Sequence, residues 1–175
     1  MFKNRRFIIL TALIAGAALI RFLPHPPNFV PIAAMALFGA AFFRDKRMAF
    51  LIPISAMLLS DLILGFHSTM LFVYLSFAAI VGLGFLLRNR VNFFTVTGAS
   101  LGASTLFFLV TNFGAWLGNP MYPQTAEGLI ASYVAGIPFF HYTVAGDLFF
   151  CGVLFGTWAL AARSVPGLEL KPAEI

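Results

Sequence analysis

The chain has 175 residues, 61% of them hydrophobic and only 10% charged, with 22 Phe and a formal net charge of +5. Soluble domains carry about 25% charged residues, so the composition excludes an ordinary soluble domain and specifies an integral membrane protein of a single domain, residues 1–175. The basic excess does not point to nucleic acid, because the charges fall in short clusters between apolar runs, which is a topology signal. One cysteine excludes an internal disulfide and any CxxC metal site.

In chain order, six apolar runs predict an all-α bundle of six transmembrane helices at about 7–23, 29–43, 48–64, 70–87, 92–113 and 143–162. The N-terminus resembles a signal peptide, with basic residues ahead of an apolar run and an Ala15-Gly16-Ala17 pattern, but five more apolar runs favour a retained first helix. Ala12 and Gly16 form a small-xxx-small pair on that helix. The stretch from Arg21 to Pro31 follows, with Pro24, Pro26, Pro27 and Pro31. Each proline removes a backbone donor and fixes φ, so no helix runs through it; a rigid outer loop is expected.

The second run is rich in Ala33, Ala34, Ala36, Gly39, Ala40 and Ala41, so it is expected to be thin and interior. Pro53 is expected to kink the third run. Thr97, Gly98, Ser100, Gly102, Ser104 and Thr105 also mark the fifth as interior. A polar-aromatic segment after Phe113 leads to a short interfacial helix at about 129–135, broken by Gly136-Ile137-Pro138, and then to the last span, with Asp147 in its first turn and Gly152-xxx-Gly156 on one face.

Six spans put both termini on one side. The positive-inside rule makes that side cytoplasmic, since Lys3, Arg5, Arg6, Arg44, Lys46, Arg47, Arg88, Arg90, Arg163 and Lys171 all fall there and Arg21 alone does not. A second set is thereby isolated at the outer ends: Arg21, His25, Asn28, Asp61, His67, Asn112, Glu127, His141 and Asp147. Arg21, Asp61 and Asp147 lie inside apolar runs, where ionisable groups face a bundle interior or a wet cavity. Trp116 and Tyr122 stand beside amide groups in the long loop, and stacking surfaces next to amides suit a planar heterocyclic solute. These two, with the outer set apart from Glu127, make the ten candidate substrate-binding residues.

Other readings stay open. Arg21 with Asp61 or Asp147 is also what a packing ion pair would look like, and the aromatic residues also suit an interfacial belt. Three His and two Asp on one face would suit zinc or iron, but no pair has the H-x-x-x-H spacing. No GxSxG, HExxH or Walker A motif is present, so no catalytic residue, metal ligand or cofactor is assigned.

The strings RFLPHPPNFVPIAAMALFGA (Arg21–Ala40), SDLILGFH (Ser60–His67), NFGAW with YPQTAEG (Asn112–Gly128) and YVAGIPFF through GDLFF (Tyr133–Phe149) resemble the DUF6580 family of small bacterial membrane proteins. In size and layout the chain also resembles the S-components of energy-coupling factor (ECF) vitamin transporters. Ala12-xxx-Gly16 stands where those proteins carry an A-x-x-x-A pattern. That resemblance implies a multi-pass protein of the bacterial inner membrane that binds a vitamin-like solute from outside. It also implies a transmembrane coupling subunit and ATPases as partners, with membrane lipid around them. A solute-free structural protein, or an intramembrane metal protein or enzyme, is the alternative.

Overall fold

The computed structural model describes residues 2–165 and residue 168; Lys171 and most of the tail lie outside them. The described chain is all helical: α1 (Phe2–Leu19), α2 (Ile32–Phe42), α3 (Lys46–Leu64), α4 (Met70–Gly84), α5 (Phe93–Gly118) and α6 (Ala126–Ser164), with short 3₁₀ turns at Ile20–Phe22 and Phe85–Leu87.

The expectation of six membrane spans is corrected. Four helical segments among the described residues are long and apolar enough to cross a bilayer: Lys46–Leu64, Met70–Leu87, Phe93–Gly118 and Ala126–Ser164. The α1 helix has 18 residues but includes Lys3, Arg5 and Arg6, so it offers no uncharged window of spanning length. The α2 helix has 11 residues, about 16 Å at 1.5 Å per residue, roughly half the ~30 Å hydrocarbon core. The short interfacial helix and the last span are also corrected: they are one helix of 39 residues that runs through Pro138. A proline costs one internal bond, yet in apolar surroundings the helix remains the cheapest way to satisfy the other backbone groups. Asp147 therefore sits deep within a long helix rather than in a first turn.

The bundle is organised around α2. All of its 11 residues are buried, and it packs against α1, α3, α4, α5 and α6. The others follow one another around it, since α1 touches α3, α3 touches α4, α4 touches α5 and α5 touches α6. A helix enclosed this way needs small side chains, and Ala33, Ala34, Ala36, Ala40 and Ala41 supply them. The approach is closest at Gly84 of α4, where a Cβ would lie 2.7 Å from the Ala40 Cβ. Phe38 and Phe42 on the other side pack edge-on or tilted against Phe155 and Trp158 of α6, with ring centroids 5.0–6.2 Å apart across the cluster.

A short buried helix must still satisfy its last carbonyls. Arginines from two neighbours do this. Arg88 donates from Nε to the Ala40 carbonyl (2.9 Å) and from Nη2 to the Phe43 carbonyl (2.7 Å), and Arg6 donates from Nη2 to the Phe42 carbonyl (2.9 Å). These cations also offset the negative end of the helix dipole. Arg6 and Arg88 were read from sequence only as topology charges; they are α2's C-terminal caps. At the same end Asp45 caps α3 by accepting from the Arg47 N–H, and Asn92 with Thr95 forms a capping box on α5. The outer faces of the bundle carry apolar side chains, Ile63 at 75% and Phe94 at 82% exposure among them, as lipid contact requires.

Candidate functional site

The opposite end of α2 opens onto the proline-rich stretch. Phe29 N–H bonds to the Pro26 carbonyl at 3.1 Å, which closes a turn with Pro27 second and Asn28 third. Asn28 takes φ +62°, the left-handed conformation this position demands and asparagine tolerates. The chain then lies directly on α6: a Cβ on Gly146 would come within 3.1 Å of the Phe29 Cα and 3.3 Å of the Val30 nitrogen. The turn is thus seated by backbone contact one residue before Asp147.

Beneath it is a cavity of about 360 Å³. Its polar lining comes from Arg21, His25, Asn28, Asp61, His67, Thr69, Thr111, Asn112 and Thr143, and its apolar lining includes Val30, Ile32, Val73, Phe107, Phe108 and Phe139. Six of the ten sequence candidates line this space: Arg21, His25, Asn28, Asp61, His67 and Asn112.

Arg21 stands in the 3₁₀ turn that ends the first helix. Of the two carboxylates open to it, it pairs with Asp61, its Nη2 2.6 Å from Oδ1, the two side chains 11% and 5% exposed. Arg21 Nη1 also donates to the Ser60 hydroxyl, and lies 3.4 Å from the Met57 carbonyl. Tyr74 of α4 donates its hydroxyl to Asp61 Oδ2 at 2.8 Å. Both carboxylate oxygens are therefore occupied, and a charge pair joins α1, α3 and α4 at the cavity wall. The His25 ring nitrogen Nδ1 is 3.0 Å from the Pro26 carbonyl, and His67 Nδ1 is 3.0 Å from Thr69 Oγ1, so each imidazole is held by a local contact. Asn112 donates from Nδ2 to the Phe108 carbonyl (2.8 Å) and its amide packs against Gly136 of α6.

The other four candidates lie elsewhere. Asp147 is buried one step behind the cavity, with Oδ2 2.6 Å from Ser104 Oγ of α5. A void of about 10 Å³ beside it shares Asn28, Val30, Ile32, Phe107 and Thr143 with the main cavity. Trp116 does not line the cavity: its indole N–H donates to the Pro123 carbonyl at 2.9 Å, and its own carbonyl accepts from Gln124 Nε2 at 2.6 Å. Tyr122 belongs to that same α5–α6 connection. His141 is exposed on α6, its ring 3.9 Å from that of Tyr142. Trp116 thus braces a loop, and the aromatic walls are Phe107, Phe108 and Phe139, which sequence reasoning passed over in a chain with 22 phenylalanines.

Sequence reasoning also missed Tyr74. Ser60 was visible only inside the SDLILGFH string, and Ser104 only as one of several hydroxyls on a helix read as interior. Among the described residues no group of three His, Cys, Asp or Glu side chains is placed to hold a metal ion.

No curated protein and no solved structure shows significant similarity to this chain. A family model does match, over residues 2–168. The matched span takes in the proline turn, the Ser60–His67 string and both long helices around the cavity, and on that match the chain belongs to the family of unknown function DUF6580.

Proposed function

We propose that this protein is a solute-binding and transport protein of the bacterial inner membrane, taking a small heterocyclic solute into the cavity under the proline turn. The observation that carries this reading is the cavity itself. Its roughly 360 Å³ falls at the lower end of the small-ligand range. Phenyl faces and convergent polar groups line it together, the composition expected where a planar ring is stacked and its edge is hydrogen-bonded. The amide of Asn112 and the side chains of Asn28, Thr111 and Thr143 are the neutral groups suited to reading such an edge. The Arg21–Asp61 pair, already satisfied, gives the wall a fixed dipole and no net charge.

The basic clusters Arg44–Arg47 and Arg88–Arg90 lie at the other end of the bundle, where Arg6 and Arg88 cap α2. By the positive-inside rule that end faces the cytoplasm and the cavity faces away from it. The sequence has no nucleotide-binding motif, so energised uptake on this reading needs partner subunits, as in the ECF transporters the layout resembles. Ala12 and Gly16 are outward-facing, and a Cβ on Gly16 would meet nothing within 4 Å, which leaves room for a coupling helix.

The test is a thermal-shift screen of the purified protein against nucleobases, flavins, pterins and B vitamins. Ligand that binds only the folded state raises Tm by mass action. A saturable rise for one chemical class, lost in Asn112→Leu, supports the reading. A panel-wide absence of any shift, or a shift that Asn112→Leu leaves intact, counts against it.

A further inference from the structure

Of the two buried carboxylates among the described residues, Asp61 pairs with Arg21, and Asp147 has no cation within salt-bridge distance. Its surroundings favour the protonated carboxyl by a count of hydrogens. Ser104 Oγ lies 2.6 Å from Asp147 Oδ2 and also 3.0 Å from the Ser100 carbonyl oxygen. A hydroxyl carries one hydrogen, and a carbonyl oxygen carries none. An ionised Asp147 leaves the two acceptors to share one hydrogen, whereas each contact is a full two-centre hydrogen bond when Asp147 supplies the second hydrogen. Asp147 Oδ2–H then donates to Ser104 Oγ, and Ser104 Oγ–H donates to the Ser100 carbonyl. That arrangement also avoids an unpaired charge in the bundle interior, which would be costly.

The groups facing Asp147 give it no compensating charge. The void beside it is lined by Ile32 and Ala33 of α2, Phe107 of α5, Thr143 of α6 and Asn28 of the turn. Cys151, one helical turn further on, is the titratable neighbour on its own helix, and it is buried. His25, His67 and the paired Arg21 and Asp61 lie across the main cavity. The void itself, about 10 Å³, is on the order of one water-sized probe, and it adjoins the main cavity.

We propose that Asp147 is a proton-binding site just behind the cavity wall, loaded as the carboxylic acid and exchanging its proton through the one-water void. On release the Asp147 O–H bond breaks, its electron pair stays on the carboxylate, and the proton passes to the water in the void. The Ser104 hydroxyl then turns its hydrogen from the Ser100 carbonyl to the carboxylate. The reverse step reloads the site. A proton held there is placed to serve as the coupling ion for a solute in the main cavity. That link rests on the solute-binding reading; the proton site does not, and it is tested without any solute.

The experiment is infrared difference spectroscopy of the full-length protein in lipid nanodiscs. At neutral pH the wild type should show the carbonyl stretch of a protonated carboxylic acid that Asp147→Asn lacks. The band should move on transfer to deuterium oxide, and should give way to carboxylate bands as the pH is raised. Ser104→Ala should keep the band but shift its frequency, which assigns it independently if Asp147→Asn does not fold. Carboxylate bands for Asp147 at neutral pH would overturn the proposal, and their response to added sodium would assign the site to a metal cation instead. A carboxylic-acid band unmoved by deuterium oxide and by alkaline pH would overturn it too, because the proton would be sealed in.

Discussion

At the scale of single residues, the Arg21–Asp61–Tyr74 network ties three helical segments together at the cavity wall. Arg21 and Asp61 are nearly enclosed, and each relies on the other. Removing one partner strands a buried charge, at a cost of about 3–5 kcal/mol. Asp61→Ala should therefore unfold well below the wild type in detergent melts. Replacing both, as Arg21→Met with Asp61→Leu, should recover most of that loss. Tyr74→Phe deletes one hydrogen bond to a charged group and should cost about 1.5–3 kcal/mol. If the double variant were no more stable than Asp61→Ala, the pair would not be the reason for the loss. The sequence made this network partly legible: an arginine and an aspartate inside apolar runs had to meet something. It left two carboxylates open to Arg21, because the choice depends on how α3 and α6 are rotated around α2. It gave no sign of Tyr74, which looks like any aromatic residue near a membrane surface.

Among the elements, α2 and the turn before it are the parts on which the rest depends. Arg88 closes two carbonyls at the end of α2 with bonds of 2.9 and 2.7 Å, and burial lowers its guanidinium pKa from the ordinary value without making it neutral in any working range. Arg88→Met keeps much of the bulk and loses both bonds, so a drop in stability of about 2–4 kcal/mol is expected from equilibrium unfolding. Arg88→Lys should recover only part of it, because a single ammonium cannot reproduce the fork. At the other end, Gly146→Val should push the Phe29–Val30 backbone off α6 and distort the cavity mouth while the helices stay folded. Circular dichroism should be unchanged and solute-induced stabilisation lost; retention of that stabilisation would show that the turn does not shape the mouth. The small residues of α2 predicted a thin, enclosed helix, and it is one. Its shortness was not visible, because the run joins smoothly to Asn28 and Phe29 at one end and Phe43 at the other. Hydropathy likewise split α6 at Gly136-Ile137-Pro138, where helical hydrogen bonding continues across the proline.

For the whole molecule, four helices of spanning length among the described residues, together with α1, surround a short buried helix. A lipid-dissolved carbene photoprobe should label Ile63, Leu86, Phe93 and Phe94, which are exposed, and leave residues 32–42 unlabelled. Labelling of Ala36 or Phe38 would break the enclosed-helix architecture. Charge asymmetry was legible from sequence, since basic clusters and the polar set separate to opposite ends. Which polar residues share a space was not, because Trp116 and His141 have the same composition signal as Asn112 and His67 and differ only in the direction they face. On the proposed function, the open cavity under the proline turn holds a small solute. Native mass spectrometry of protein taken gently from its own membrane tests this most directly. A bound small-molecule adduct of one defined mass is expected on the wild type and absent from a folded Asn112→Leu variant. A wild-type ion that carries only lipid, or the same adduct retained on Asn112→Leu, would contradict it.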